Sequence, residues 1–148
     1  MKVEQLSIFL ENKAGRLAEV TNILHEAGVN IMALSLADTS EFGILRLIVN
    51  DYEKAQAALK AKGFTVGRTG VVAVEVGHRP GGLNKILQLL EQKNINIEYM
   101  YGFPYQGAAA IIIFRFDRPE MAVEVLQESG VRVFSEKDIC TVDGSCKA

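Results

Sequence analysis

Two short loops carry the residues of this chain that are best suited to hold a small charged ligand. Residues 12–17 read NKAGRL, and residues 78–83 read HRPGGL. Each loop places glycine at the start of an apolar helical pattern, where backbone N–H groups lack intrahelical partners and the positive end of the helix dipole faces outward. We expect such a loop to favour a single carboxylate. Neither loop is a phosphate-binding P-loop, because the chain contains no GxxxxGK[ST] pattern.

An asparagine follows each loop at the same distance. Asn30 and Asn96 stand at the start of the predicted second strand of each half, directly before an isoleucine. An amide side chain offers both donors and an acceptor, so it can hold the ammonium and carboxylate groups of a free amino acid. We predict that this strand start lies close to the first loop, with Asn12 and His78 across from the two asparagines. The alternative is that these residues only end helices or face solvent in loops.

An internal repeat explains the paired features. An offset of 66 residues (78 − 12) superposes Gly15 on Gly81 without a gap, and an offset of 67 residues (130 − 63) superposes Gly63 on Gly130. A slip of one residue is typical of a change in a hairpin turn. The repeat therefore predicts two copies of one folding unit.

The hydrophobic period changes in the same order within each copy. Apolar residues first alternate, as expected for a strand, and then recur at helical spacing, as in Leu17, Val20 and Leu24. Asp51 and Asp117 are the predicted N-caps of the second helices. The order strand, helix, strand, strand, helix, strand predicts an α+β fold of two tandem ferredoxin-like βαββαβ units, each an antiparallel sheet with helices on one face.

The predicted boundaries place the first unit at residues 1–68, the second at 69–136 and a C-terminal tail at 137–148, in which Asp138 to Val142 is expected to add a short edge strand. Cys140 and Cys146 lie in this tail and are interpreted as tail thiols, because their spacing matches no metal-ligand pattern.

Composition narrows the classes of function. The 148 residues are 49% hydrophobic and 23% charged, with a net charge of −2, which is typical of a globular protein and gives no general attraction for nucleic acid. No apolar run approaches the about 18 residues of a membrane span. A cytoplasmic protein that contacts neither membrane nor nucleic acid is therefore expected.

The segments NKAGRLAEVTNILHEAGVNI and RPGGLNKILQLLEQKNINI make the chain resemble the ACT domain family over residues 1–136. The resemblance is closest to small stand-alone tandem ACT proteins. It implies a non-catalytic regulatory protein without a cofactor, which senses a free amino acid at interfaces between domains and forms a homodimer. Its output would pass through a separate enzyme, transporter or transcription factor.

The resemblance also implies which residues bind the ligand. In the serine-binding ACT domain of phosphoglycerate dehydrogenase, an asparagine of the first loop and the asparagine of the VNI segment hold the ligand, and this pattern maps onto Asn12 and Asn30. The second repeat departs from it with His78 in the loop position, although Asn96 is kept. The predicted ligand-binding residues are Asn12, Lys13, Ala14, Gly15, Arg16, Leu17, Asn30, Ile31, His78, Arg79, Pro80, Gly81, Gly82, Leu83, Asn96 and Ile97. No catalytic and no metal-binding residue is predicted.

Two other classes of function are less favoured. An enzyme of this fold would need His78 or Cys140 as its reactive group, and no recurring Ser/His/Asp or Cys/His set accompanies either residue. An RNA-binding sheet shares the βαββαβ order but needs stacking aromatic residues on its central strands in a basic setting. The third strands of both halves are instead mostly aliphatic.

Overall fold

In the computed structural model, the described residues are 2–38 and 40–142. The chain divides into two compact units. The first unit comprises Glu4–Thr69, and the second comprises Gly70–Val142 with a short piece from the N-terminus. Each unit contains one copy of the sequence repeat.

The first unit is one antiparallel sheet with two helices on one face. Its elements are β1 (Val3–Glu11), α1 (Arg16–Glu26), β2 (Ile31–Asp38), β3 (Phe42–Val49), α2 (Tyr52–Ala61) and the beginning of β4 (Thr65–Gly77). Strand β3 lies between β2 and β1 and is antiparallel to both.

The second unit repeats this order. Its elements are the rest of β4, α3 (Gly82–Gln92), β5 (Ile97–Pro104), β6 (Ala109–Phe116), α4 (Pro119–Glu128), β7 (Val133–Phe134) and α5 (Glu136–Thr141). Strand β4 pairs with β6 and β7, and β5 pairs with β6, all antiparallel. The resulting order β7-β4-β6-β5 is that of a ferredoxin-like unit. The predicted fold class is confirmed.

Both first helices follow a glycine whose backbone has the left-handed conformation, which a residue without a side chain adopts most easily. Gly15 has φ 90° and Gly81 has φ 85°, and neither helix start has a side-chain cap. This left-handed conformation is strained for residues with a Cβ. At the other end of these helices, Gly28 and Asn94 also have positive φ, as expected for helix C-termini.

Each unit has its own apolar core between its helices and one face of its sheet. In the first unit, residues of β1 such as Leu6 and Ile8 are fully buried against Val20 and Leu24 of α1. In the second unit, β4 and β6 supply the sheet side, and α3 and α4 supply the helix side. Burying such side chains contributes roughly 1.5–3 kcal/mol each before conformational entropy is subtracted, so these two cores hold the units together.

Of the two predicted N-caps of the second helices, one is confirmed and one is wrong. Asp51 caps α2 as predicted, because its Oδ1 accepts a hydrogen bond from the Lys54 N–H at 3.1 Å. Asp117 does not cap α4, whose N-cap is Arg118 without a side-chain hydrogen bond. The repeat offset has already slipped to 67 residues at this point, so Asp117 is equivalent to Asn50 and not to Asp51.

The described part of the tail forms the helix α5 (Glu136–Thr141) and not the expected edge strand at Asp138 to Val142. Ser135 begins α5 with a capping box: its Oγ accepts from the Asp138 N–H at 3.2 Å, and the Asp138 carboxylate accepts from the Ser135 N–H at 2.9 Å. Ile139 anchors this helix, because the residue is buried with a relative exposure of only 2%. Cys140 is disulfide-bonded, so its interpretation as a tail thiol is wrong, and Cys146 lies outside the described residues.

We predict that Ser135→Ala lowers the free energy of unfolding by about 1 kcal/mol, because it removes the N-cap of α5. Hydrogen bonds from Ser135 lower the pKa of Asp138 below its ordinary 3.8. A lowered folded-state pKa stabilises the protein above the ordinary value, and this stabilisation is lost as pH falls through the folded-state value.

Urea unfolding of wild type and Ser135→Ala at neutral pH and at acid pH measures this effect. The difference between the two proteins is expected to shrink in acid. Ser129→Ala is the matched control, because Ser129 is exposed at the end of α4. An equal loss of stability in both variants would contradict the role of the cap.

Candidate functional site

The two candidate loops are held in the same way. The Asn12 N–H donates to the Glu41 carbonyl at 2.8 Å, and the His78 N–H donates to the Ala108 carbonyl at 2.8 Å. Glu41 and Ala108 lie in the turns between the second and third strands of their units. Each loop is therefore fastened beside the hairpin turn of its own unit.

The charge of Arg16 in the first loop is neutralised within the chain. Its Nη2 lies 3.1 Å from Glu11 Oε1, and its Nη1 lies 3.0 Å from Glu19 Oε2. Hydrogen bonds to Glu19 and then Glu11 raise the pKa of Arg16. The pKa of Glu11 is lowered, first by Arg16 and then by Lys13. A ligand carboxylate at this loop would therefore compete with two carboxylates of the protein for Arg16.

The second loop replaces this ion pair with a close backbone contact. Gly77 and Gly82 stand at the positions equivalent to Glu11 and Arg16. A Cβ added at Gly82 would lie 2.0 Å from the Gly77 carbonyl oxygen. The loop therefore closes on itself where the first loop keeps a charged side chain.

The two asparagines are fixed by reciprocal hydrogen bonds at the end of the third strand. The Asn30 N–H donates to Asn50 Oδ1 at 2.9 Å, and the Asn50 N–H donates to the Asn30 carbonyl at 3.2 Å. In the second unit the Asn96 N–H donates to Asp117 Oδ1 at 3.0 Å, and the return bond to the Asn96 carbonyl is 3.2 Å. Sequence reasoning missed this clamp, although the repeat places an oxygen-bearing side chain at both equivalent positions.

The expectation that the second strand begins close to the first loop is wrong. The loop residue Asn12 is bonded to Glu41 beside one end of β3, whereas Asn30 is bonded to Asn50 beyond its other end. The β3 residues between these ends, Gly43 to Val49, span roughly 20 Å at the rise of a strand. Asn12 and Asn30 of one unit therefore do not contact the same amino acid.

The predicted ligand-binding residues line separate cavities and do not meet in one site. A cavity of about 90 Å³ in the first unit brings together Asn12, Lys13, Arg16 and Leu17, with Leu36 of β2 beside them. Asn96 and Ile97 line a separate groove of about 410 Å³ at the end of α3. Arg79 and Gly82 line a third cavity.

The remaining predicted residues have structural or surface positions. Ile31, Leu83 and Ile97 pack against the cores. Ala14, His78 and Pro80 are exposed, and the two glycines Gly15 and Gly81 begin the helices.

Within residues 2–38 and 40–142, no three His, Cys, Asp or Glu side chains are grouped so that they could bind a metal ion. None of the helices in that part of the chain has the length and apolar character needed to span a membrane.

Comparisons with known proteins identify relatives of this arrangement. Residues 1–143 match the family described as an ACT domain pair. The crystal structure of protein BT0572 from Bacteroides thetaiotaomicron is 42% identical, with a TM-score of 0.91, and the match covers 95% of this chain and 97% of that one. The regulatory subunit of aspartate kinase from Thermus flavus shares the fold at 16% identity, with a TM-score of 0.61 and coverage of 86% and 92%. None of the curated proteins matches the sequence significantly.

We predict that Gly82→Ala destabilises the protein by about 1–3 kcal/mol, because the added Cβ would meet the Gly77 carbonyl and the backbone must shift. Urea unfolding measures the change. Gly67→Ala in β4 is the matched control, because no atom lies within 4 Å of a Cβ added there. Equal stabilities of Gly82→Ala and Gly67→Ala would show that the second loop is not closed in this way.

We predict that Arg16→Gln raises the pKa of Glu11 toward its ordinary 4.5, because the largest stabilising partner of the Glu11 carboxylate is removed. An NMR titration of the side-chain carboxyl carbons reports this pKa directly. Arg68→Gln serves as the control, because Arg68 pairs with Glu4. An unchanged Glu11 pKa in Arg16→Gln would refute the pairing.

Proposed function

The chain belongs to the ACT domain family, and from this membership we propose that it is a non-catalytic, cytoplasmic regulatory protein that binds a free amino acid. The observation that carries the proposal is the cavity beside the first loop, which is lined by Asn12, Leu17 and Lys13, with the Lys13 ammonium 3.4 Å from Glu11 Oε2. An amide, a cation and an apolar wall suit the carboxylate, the ammonium and the carbon skeleton of an amino acid.

We propose that this cavity is half of a binding site. Its volume of about 90 Å³ is well below the roughly 300–1,000 Å³ of ordinary small-molecule pockets. Asn30, the other polar residue that the family resemblance implies, lies at the far end of the unit. If both asparagines hold one ligand, they must come from different copies of the unit, and we propose a homodimer in which Asn12 of one chain and Asn30 of a second chain share it.

An exposed apolar strip beside the cavity supports the proposal that a second copy of the chain covers this cavity. Leu17 on α1 and Leu34 and Leu36 on β2 are 40%, 55% and 47% exposed. Leu34 and Leu36 lie opposite Leu47 and Leu45 in the strand register, and therefore on the helix side of the sheet. Apolar side chains grouped beside a cavity in this way are typical of a surface that becomes buried in an assembly.

The second unit offers a weaker version of this surface. The positions equivalent to Leu34 and Leu36 are Met100 and Gly102, and its loop carries His78 in place of asparagine. We therefore propose that the first unit provides the stronger amino-acid site.

Catalysis is the less supported alternative. No recurring Ser/His/Asp or Cys/His set accompanies either candidate reactive group, His78 or Cys140. Regulation would instead follow from the bias that a shared ligand places on the association of two copies. We propose that the output partner is a separate enzyme, transporter or transcription factor.

We predict that one or a few amino acids at about 1 mM raise the melting temperature of the protein, since a ligand that binds only the folded state stabilises it. Asn12→Ala, Asn30→Ala and Asn96→Ala are each expected to reduce this response. Asn22→Ala is the matched control, because Asn22 lies on the exposed face of α1 and contacts Glu26. A melting temperature that no amino acid changes would refute amino-acid binding.

A complementation experiment tests whether two copies share the site. Coexpression of Asn12→Ala and Asn30→Ala chains gives mixed dimers in which one of the two sites keeps both asparagines, so about a quarter of all sites are expected to bind. Calorimetric titration of the purified mixture counts these sites. Recovery of no sites would refute a site that Asn12 of one chain and Asn30 of a second chain share.

A further inference from the structure

The two units contain a second cleft at equivalent positions, which in the first unit shares Glu11 and Arg16 with the cavity beside Asn12. It lies between the end of the first strand and the turn that leads from the second helix into the last strand. In the first unit it includes Phe9, Leu10, Glu11, Arg16, Phe42, Gly63, Phe64 and Thr65. In the second unit the equivalent residues are Glu75, Val76, Gly77, Gly82, Ala109, Gly130, Val131 and Arg132. The duplicated fold therefore forms this cleft twice.

The side chains in the two clefts differ in size and charge. Phe9, Phe42 and Phe64 give the first cleft three aromatic walls. The second cleft has small residues at most of these positions, a volume of about 380 Å³, and three cationic side chains in Arg79, Lys85 and Arg132. A volume of this size lies within the ordinary range for small-molecule pockets.

The positive charge of the second cleft is poorly compensated by the protein. No ion pair among residues 2–38 and 40–142 involves Arg79 or Lys85. Arg132 Nη1 lies 4.0 Å from Glu75 Oε2, which is a weak pairing. The Arg132 guanidinium also lies 4.4 Å above the Phe134 ring, an interaction that positions the cation without neutralising it.

The first cleft has one paired arginine in the same frame, although Lys62 also lines it and makes no ion pair among residues 2–38 and 40–142. There Arg16 contacts both Glu11 and Glu19 at 3.0–3.1 Å. In the second unit, Gly77 and Gly82 stand at the positions equivalent to Glu11 and Arg16, so this carboxylate and this cation are both absent. The cations of the second cleft come from other positions. The chain as a whole carries a net charge of −2, so this concentration of positive charge is local.

We propose that the cleft lined by Arg79, Lys85 and Arg132 binds a small oxyanion with two or more negative charges, such as a phosphate ester or a polycarboxylate. Charge-assisted hydrogen bonds from Lys and Arg are the interactions that recognise such groups. Arg79 belongs to the loop that the family resemblance assigns to the amino acid, and here it faces a different ligand. The second unit thus senses an anion, and this does not depend on amino-acid binding by the first unit.

Calorimetric titration of the full chain with inorganic pyrophosphate and with citrate, at constant ionic strength, tests the proposal and separates the two sources of charge. We expect at least one of them to bind with a Kd below about 1 mM. Lys85→Gln is expected to weaken that binding about tenfold or more, and Lys85→Arg is expected to restore it. The matched control is Lys62→Gln, which removes a cation from the equivalent cleft of the first unit.

The outcomes separate this site from the amino-acid site. Failure of both anions to bind by about 10 mM, or equal weakening by Lys85→Gln and Lys62→Gln, would overturn the proposal. Unchanged binding in Lys85→Gln would overturn it as well. The response of Lys85→Gln to amino acids is expected to match that of wild type, so a failure of amino-acid binding and a failure of anion binding are seen in different titrations.

Discussion

The turn from the first strand into the first helix is the constraint on which each unit depends. Both turns pass through a glycine with positive φ, Gly15 and Gly81, so the chain reverses within a few residues and the helix packs back over the strand it has left. The apolar stripe of the helix then meets the apolar face of the sheet, and one core forms in each unit. The same reversal places the polar loop at one end of the unit and the asparagine at the other.

One backbone frame supports different chemistry in the two units. The strand start after each first helix is clamped by a side-chain oxygen, and the oxygen of Asn50 in the first unit serves as well as that of Asp117 in the second. The backbone at this strand start is therefore the same in both units, because the hydrogen bond that holds it needs only an acceptor oxygen. Side chains that face the clefts are under no such requirement, and there the units differ in aromatic and cationic content.

The fold could be predicted from the sequence because strand and helix periods alternate in the same order twice. The relation between the loop and the asparagine could not be predicted, because spacing along the chain does not state which end of a strand a residue occupies. The length of α1 indicates the separation, since its eleven residues at about 1.5 Å each carry the chain from one end of the unit to the other. Helix α5 has six residues, too few for a periodic signal, and depends on the capping pair Ser135 and Asp138. In the second cleft Arg79 and Lys85 are close in sequence, but Arg132 is brought beside them only by the folded chain.

The backbone contact between Gly77 and Gly82 has a consequence for any exchange of parts between the two halves. A side chain placed at position 82, such as the arginine at the equivalent position of the first unit, would meet the Gly77 carbonyl oxygen. The two loops are therefore not interchangeable residue by residue, although they begin the same helix of the same fold.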